Sequence, residues 1–169
     1  MSTSESPGLI RHLREAGHVV VFTGAGVSQE SGVPTFRDTL TGLWSNFDAE
    51  ELATLRAFSK DPDLVWGWYE WRRALVLRCE PNPAHYAIAA MEKVVPKLTL
   101  ITQNVDDLHE RAGSTSPIHL HGSLHHPRCR ACGRPHAPFI PIQSDPDGGR
   151  LAPPRCSHCG GRVQPGVVW

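Results

Sequence analysis

Short apolar runs alternate with helical patterns along the first two thirds of the chain. Buried strands are predicted at 18–22 (HVVVF) and 98–102 (LTLIT), and PIHLHG at 117–122 predicts a third. Capping residues, prolines and glycines predict helices around these strands, over 7–17, 48–58, 61–78, from Asn82 onward, and up to Gly113. Strands separated by helices predict an α/β fold with a parallel, doubly wound sheet.

The character of the chain changes at Leu124. From there, proline, glycine, arginine and paired cysteines replace the periodic apolar patterns. A segment with so little apolar content needs a stabilising cross-link, such as a bound metal ion, in order to fold. The sequence therefore predicts a separate small module after the last strand of the sheet.

Four cysteines in that module form two closely spaced pairs. Cys129 and Cys132 are separated by two residues, as are Cys156 and Cys159, and 23 residues lie between the pairs (156 − 132 − 1). Two such pairs are typical of a zinc site with four thiolate ligands. Because four thiolates leave no open coordination position, we expect this zinc to be structural.

Composition narrows the class of protein. Seventeen Lys and Arg residues balance seventeen Asp and Glu residues, so no overall field attracts nucleic acid or an anionic membrane. The start, MSTSESPG, has neither the charge nor the apolar core of a secretory signal, and no apolar run has the length of a membrane span. We therefore expect a cytoplasmic protein with no membrane partner.

Several candidate ligand-binding residues follow predicted strands directly. Gly24 and Gly26 come after the first strand, although Gln29 occupies the third glycine position of the full dinucleotide-binding pattern. Gln103, Asn104 and Asp106 follow the second strand, and His121 ends the third. The carboxyl edge of a parallel sheet is where such folds bind ligands, so a site is predicted there. His119 and His121 share a strand face, and spacing alone does not separate them as candidate bases.

The predicted helix over 61–78 contains the unusual stretch WGWYEWRR. Tyr69 and Arg72 are three residues apart and therefore share one helix face. Trp68, Trp71 and Leu75 are expected on another face, packed in the core. Arg73 is expected to pair with Glu70 on the helix surface.

These motifs, in this order, resemble the sirtuins, which are NAD-dependent protein lysine deacylases. The resemblance rests on GAGVSQESGVPTFRD, TQNVDDLHERAG, HLHGS and the two cysteine pairs, and it covers the chain from about Val19. It implies a Rossmann-like domain with a zinc module, in which His121, rather than His119 or Ser28, is the catalytic base. It also implies that NAD is held by Gly24, Ala25, Gly26, Ser28, Pro34, Thr35, Phe36, Arg37, Trp44, Gln103, Asn104, Val105 and Asp106.

The Tyr-x-x-Arg pair is similar to that of the sirtuin branch that removes succinyl and malonyl groups. An acyl chain that ends in a carboxylate needs a charged partner inside an apolar pocket. A guanidinium can bind it through two hydrogen bonds, and a phenol can add a third. Tyr69 and Arg72 are thus the expected acyl-binding residues, and acetyl groups are expected to remain substrates as well.

The resemblance also suggests how the chain is divided. Residues 1–123 are expected to be part of the NAD-binding domain, with a cofactor loop at 24–44 and a helical insertion at 48–78. Residues 124–166 are expected to be the zinc module, and 167–169 the start of a C-terminal half that sirtuins have and this sequence lacks. We therefore expect an incomplete sheet and a truncated enzyme with weak NAD binding and little turnover.

Two other interpretations remain open at this stage. The first is a sirtuin that mainly deacetylates proteins or transfers ADP-ribose to them. The second is a zinc-ribbon module that binds nucleic acid, because residues 125–162 contain six arginines and two aspartates. The scarcity of aromatic residues in that module argues against the second.

Overall fold

A computed structural model describes residues 7–33, 48–137 and 149–169. Three parallel strands form its larger sheet in the order β1-β2-β3: β1 (Val19–Thr23), β2 (Leu98–Thr102) and β3 (Ile118–His119). Val19 pairs with Leu98, and Thr102 pairs with His119. The predicted parallel α/β sheet is therefore confirmed. β3 is shorter than predicted because the chain turns after His119, and Gly122 adopts a positive φ of 73°.

Seven helices are found in the described residues. They are α1 (Pro7–Glu15), α2 (Ala25–Gln29), α3 (Ala49–Leu52), α4 (Leu55–Lys60), α5 (Pro62–Arg78), α6 (Pro83–Met91) and α7 (Leu108–Arg111). None of them is both long and apolar enough to cross a bilayer.

The prediction of a single helix from Asp48 through Phe58 is wrong. The chain leaves helical geometry at Ala53 (φ −79°, ψ 46°), and Thr54 begins a new helix. The Thr54 hydroxyl accepts a hydrogen bond from the Ala57 N–H at 3.0 Å, which is the geometry of an N-cap. This break leads into α4 and α5, which pack against each other.

Two antiparallel strands form a second sheet, β4 (Gly122–Cys129) and β5 (Val163–Val167). Gly122 pairs with Val167 at one end, and Cys129 pairs with Val163 at the other. The register is irregular in the middle, where Pro165 has no N–H to donate. The predicted module boundaries at 123/124 and 166/167 both fall within these strands.

The core forms where α5 meets the second sheet. Trp66, Trp68 and Trp71 are all buried there, which confirms that the tryptophans pack in the core. The prediction that the tryptophans and Arg72 lie on different faces of the helix is wrong, however. The Arg72 guanidinium carbon lies 5.0 Å from the centre of the Trp68 ring. Arg73 does pair with Glu70, but it is only 4% exposed and does not lie on the surface.

The chain after residue 148 crosses α5 at close range. The Leu151 N–H donates to the Asp63 carbonyl oxygen at 3.0 Å. A Cβ atom at Gly67, in the middle of α5, would overlap the Gly149 carbonyl oxygen. The glycine in the tryptophan-rich stretch therefore permits this crossing.

Candidate active site and metal centre

A cavity of about 350 Å³ opens at the carboxyl ends of β1 and β2, beside α5 and the second sheet. This volume is at the lower end of the range found for small-molecule sites. Its lining brings together many of the residues predicted from sequence: Ala25, Ser28, Tyr69, Arg72, Gln103, Asn104, Val105, Asp106 and His121. Both candidate acyl-binding residues thus share one cavity with several of the candidate cofactor-binding residues.

Ser28 lies at the centre of a buried hydrogen-bond network. Its hydroxyl donates to Asp106 Oδ2 at 3.0 Å and accepts from Asn104 Nδ2 at 2.9 Å. The other Asp106 oxygen, Oδ1, accepts from the Leu108 N–H at 3.2 Å. All three side chains are buried, so their hydrogen bonds fix their orientation.

Two buried histidines lie behind this network. The rings of His85 and His109 are 4.8 Å apart, centre to centre, and His85 Nε2 lies 3.5 Å from the Ser28 hydroxyl. His85 Nδ1 accepts from the Asn82 N–H, which completes a capping box at the start of α6. Burial lowers the pKa of both histidines, and His85 lowers that of His109 further, whereas the charge of Asp106 acts against the shift in each. They are therefore neutral packing and hydrogen-bonding groups near neutral pH.

The two candidate base histidines differ in their surroundings. His119 is engaged on both sides: Nδ1 lies 2.9 Å from the Asn104 carbonyl oxygen, and Nε2 lies 2.7 Å from Glu110 Oε1. His121 is exposed and lines the cavity, with Nδ1 held 3.0 Å from the Gln103 carbonyl oxygen. This contact leaves the other ring nitrogen of His121 on the side away from Gln103, whereas both nitrogens of His119 are engaged.

Tyr69 and Arg72 extend from α5 into the same cavity. Burial raises the pKa of the Tyr69 phenol, although the hydrogen bond from Trp169 Nε1 at 2.9 Å and the charge of Arg72 act against it. Burial also disfavours the charged form of Arg72 and lowers its pKa, and the charges of Tyr69 and Asp106 act against this shift. A cation held in such surroundings favours an anionic partner.

Apolar residues that the sequence did not single out complete the wall. They come from the turn after α2, the helical break after α3, α5, the second sheet and the residue that follows it: Val33, Ala53, Val76, Leu124, Val167 and Val168. Trp169 was also missed, because no spacing rule links it to Tyr69, one hundred residues earlier.

Several predicted residues lie elsewhere. Gly24 is the N-cap of α2, and Gly26 lies in the first turn of this helix. Among the described residues, no atom lies within 4 Å of the position that a Cβ atom on Gly26 would take. The remaining predicted residues of the loop lie outside the described residues: Pro34, Thr35, Phe36, Arg37 and Trp44.

The four predicted metal ligands lie together. The sulfur atoms of Cys129, Cys132, Cys156 and Cys159 are all within 4.8 Å of one another. Cys129 and Cys159 are 3.5 Å apart, and Cys132 and Cys156 are 3.8 Å apart. Tetrahedral zinc with Zn–S bonds of about 2.3 Å requires separations of about 3.8 Å, so the four residues fit this metal.

The two cysteine pairs have matching backbone geometry. Gly133 and Gly160 each follow the second cysteine of a pair, with φ values of 71° and 70°. Each donates its N–H to the carbonyl oxygen of the first cysteine, Cys129 or Cys156, at 2.9 Å. These positive φ values favour glycine, which explains its place in both pairs.

The thiols also differ in their tendency to ionise. Backbone N–H groups, led by that of Cys132, lower the pKa of Cys129 to about 6. The Gly161 N–H favours the thiolate of Cys159, but the neighbouring cysteines outweigh it and raise its pKa to about 12. Four thiolates therefore need a cation between them, as zinc would provide.

Comparison with known proteins agrees with this geometry. A relative from Methylococcus capsulatus named NAD-dependent protein deacylase is 66% identical over 165 residues, which is 97% of this chain and 65% of the relative. NAD-dependent protein deacylase 1 of Pseudomonas aeruginosa is 57% identical over 95% of this chain and 65% of its own length. The chain thus spans about 65% of the length of these curated relatives.

Solved structures show the same fold. A Sir2 homolog–NAD complex superposes with a TM-score of 0.81 at 47% identity, covering 97% of this chain and 61% of that one. Sir2Tm bound to a propionylated peptide superposes with a TM-score of 0.72 at 26% identity, covering 96% and 62%. Residues 24–169 match the model described as the Sir2 family, and the chain therefore belongs to that family.

Proposed function

We propose that this chain contributes to the NAD-dependent removal of acyl groups from protein lysines, and that Tyr69 and Arg72 favour acyl groups that end in a carboxylate. The observation that carries the proposal is the shared cavity. The guanidinium of Arg72 and the phenol of Tyr69 line the same space of about 350 Å³ as Asn104, Asp106 and His121. Succinyl and malonyl groups are the acyl groups of this kind that we expect.

The residues present suit the nicotinamide and ribose end of NAD. Gln103 and Asn104 supply amide groups, and Asp106 supplies a carboxylate. When bound, NAD supplies the ADP-ribose group that accepts the acyl group, with loss of nicotinamide. The relatives' names and the NAD complex of a Sir2 homolog support this choice of cosubstrate.

His121 is proposed as the general base. Its contact with the Gln103 carbonyl oxygen fixes the ring, and its exposed position lets it reach a hydroxyl group in the cavity. An imidazole that is neutral near physiological pH is suited to removing such a proton. Asp106, held by Ser28 and the Leu108 N–H, is proposed to orient ribose hydroxyls.

Arg72 is proposed to bind the distal carboxylate. Its guanidinium carbon lies 5.0 Å from the centre of the Trp68 ring, and apolar side chains such as Val76 and Leu124 line the same cavity. In these surroundings an ion pair is stronger than it would be in water. An acetyl group would fill less of the cavity without using the arginine, so deacetylation is expected alongside, and ADP-ribose transfer remains the alternative.

The proposal is tested by comparing succinyl-, malonyl- and acetyl-lysine peptides of one sequence with the unaltered chain and its Arg72→Met variant. We expect the variant to lose at least about a hundredfold in kcat/KM for the succinyl peptide, since a buried charge pair is removed, and to keep its acetyl activity. Equal loss on both peptides would contradict the role of Arg72.

A chimera makes the result independent of the chain's length. In it, the aligned 165 residues replace their counterparts in the Methylococcus capsulatus relative. Arg78→Met, an exposed arginine at the end of α5, is the matched control and should leave both activities unchanged.

Low activity of the 169-residue chain alone and a cytoplasmic location stay predictions from the sequence.

A further inference from the structure

A second cleft, of about 390 Å³, lies between α4 and the two cysteine pairs. Arg130, Arg155 and Arg162 line it, together with Phe58 and Ala131. All three arginines are exposed, and within the described residues none of them forms an ion pair with a carboxylate. The cleft therefore concentrates positive charge on a chain that is neutral overall.

The backbone fixes the relative positions of the three arginines. The Arg130 N–H donates to the Arg162 carbonyl oxygen at 2.9 Å, and Arg155 and Arg162 form an antiparallel bridge. Each lies within three residues of a cysteine of the metal centre. Because these contacts are already made, a ligand would not have to order this part of the chain.

The guanidinium groups keep most of their hydrogen-bonding capacity. Arg130 Nη2 makes a long contact of 3.4 Å to the Ser59 hydroxyl, and Arg155 Nη1 one of 3.3 Å to the Gly160 carbonyl oxygen. A guanidinium has five N–H donors, so most of them remain available for an anion. Carboxylates are suitable partners because they accept two of these bonds at once.

The cleft is a close neighbour of the acyl cavity. Phe58 lines the cleft, and its ring centre lies 5.4 Å from that of Trp169. Trp169 in turn donates to Tyr69, which lines the acyl cavity. Three aromatic side chains in succession, Phe58, Trp169 and Tyr69, thus connect the linings of the two spaces.

We propose that the cleft formed by Arg130, Arg155 and Arg162 binds acidic side chains of the protein whose acyl-lysine occupies the cavity. The proposal rests on the proposed function for the position of the lysine. Nucleic acid fits less well, because Phe58 is only 2% exposed and offers no free face for a base to stack on.

Binding of fluorescent peptides to the full chain tests this without turnover. The peptides carry a central lysine, unmodified or succinylated, flanked by glutamates or by the same number of glutamines. We expect the glutamate peptides to bind about tenfold more tightly at low salt, and the difference to vanish in the combined Arg130→Gln, Arg155→Gln and Arg162→Gln variant.

The control is Arg134→Gln, an exposed arginine of the same module outside the cleft, which should keep the preference. Equal binding of both peptides by the unaltered chain would overturn the proposal, as would a preference that persists in the triple variant. Tighter binding of a single-stranded oligonucleotide through the same arginines would also overturn it and identify a nucleic-acid site instead.

Two further readouts keep the result interpretable. Zinc content is measured for every variant, and if the triple variant loses metal, the glutamate and glutamine peptides are compared on the single variants. A glutamate preference seen with unmodified lysine, but no gain from succinylation, would leave this proposal standing while contradicting the acyl selectivity of Tyr69 and Arg72.

Discussion

The indole Nε1 of Trp169 donates a hydrogen bond of 2.9 Å to the hydroxyl oxygen of Tyr69. The phenol is thereby held in place by a residue outside its own helix, while its O–H proton remains available to an acceptor in the cavity. The orientation of one candidate acyl-binding residue thus depends on the segment that follows β5.

Trp169→Phe removes this donor while keeping an aromatic ring. Because the hydrogen bond favours the phenolate, we expect the pKa of Tyr69, already raised above 10.0 by burial, to rise further. Titration of tyrosinate absorbance in a Tyr86→Phe background measures it, since the chain has only two tyrosines. An unchanged or lower Tyr69 pKa, with circular dichroism still native, would contradict the role of this hydrogen bond.

Removal of zinc should unfold the module that holds it. Cys132→Ser leaves three thiolates, and because metal binding is coupled to folding, we expect a loss of several kcal/mol in the free energy of unfolding. Metal analysis should give one zinc per chain before the change and much less after it. Cys79→Ser, which alters the cysteine outside the cluster, should affect neither quantity.

Gly67→Ala tests the close crossing over α5. Helix propensity alone predicts a gain of about 1 kcal/mol from alanine in the middle of a helix. The new Cβ atom would overlap the Gly149 carbonyl oxygen, so we expect instead a loss of about 3 kcal/mol. Denaturant unfolding measures it, and Gly149→Ala is the control, because a Cβ atom there has no described atom within 4 Å.

The His119–Glu110 pair should stabilise the fold only over a limited pH range. The hydrogen bond to Glu110 raises the pKa of His119 above 6.5. Burial acts to raise the pKa of Glu110, but the hydrogen bond from His119 prevails and the pKa falls below 4.5. The contribution is therefore complete between about pH 4.5 and 6.5, and is lost as the pH rises through the folded pKa of His119 or falls through that of Glu110.

Glu110→Gln isolates this contribution. We expect the variant to be less stable by about 0.5 kcal/mol near pH 5.5, and the difference to disappear in alkaline solution. Comparing the two chains at each pH cancels the opposite effect of His85, whose lowered pKa costs stability as the pH falls below 6.5. A difference that does not vary with pH would contradict the assignment.

Local signals in the sequence predicted most of the sheet and helices. Val19–Thr23 and Leu98–Thr102 are short β-branched runs, and Asp61 caps α5 with Pro62 at its start. The break at Thr54 was missed because the surrounding residues keep a helical pattern, and only the hydroxyl contact to Ala57 reveals the new cap. The sequence pattern thus predicted which segments form helices and strands, but not where the helix after Asp48 is interrupted.

The candidate site was also predicted only in part from the sequence. The cysteine spacing and the residues after β2 anticipated a metal cluster and one wall of the cavity. The burial of Arg73 and the bond from Trp169 to Tyr69 depend on how α5 packs against distant segments. Periodicity along one helix does not contain that information.

The ribbon formed by β4 and β5 connects the metal cluster with the cavity. β4 begins at Gly122, next to His121, and ends at Cys129 of the metal cluster, and the Val168 N–H holds the His121 carbonyl oxygen at 2.9 Å. Oxidation or metal loss at the sulfurs would therefore alter the ends of a strand pair that also carries the proposed base. Thiol oxidants are then expected to disturb the position of His121 from a distance, without entering the cavity.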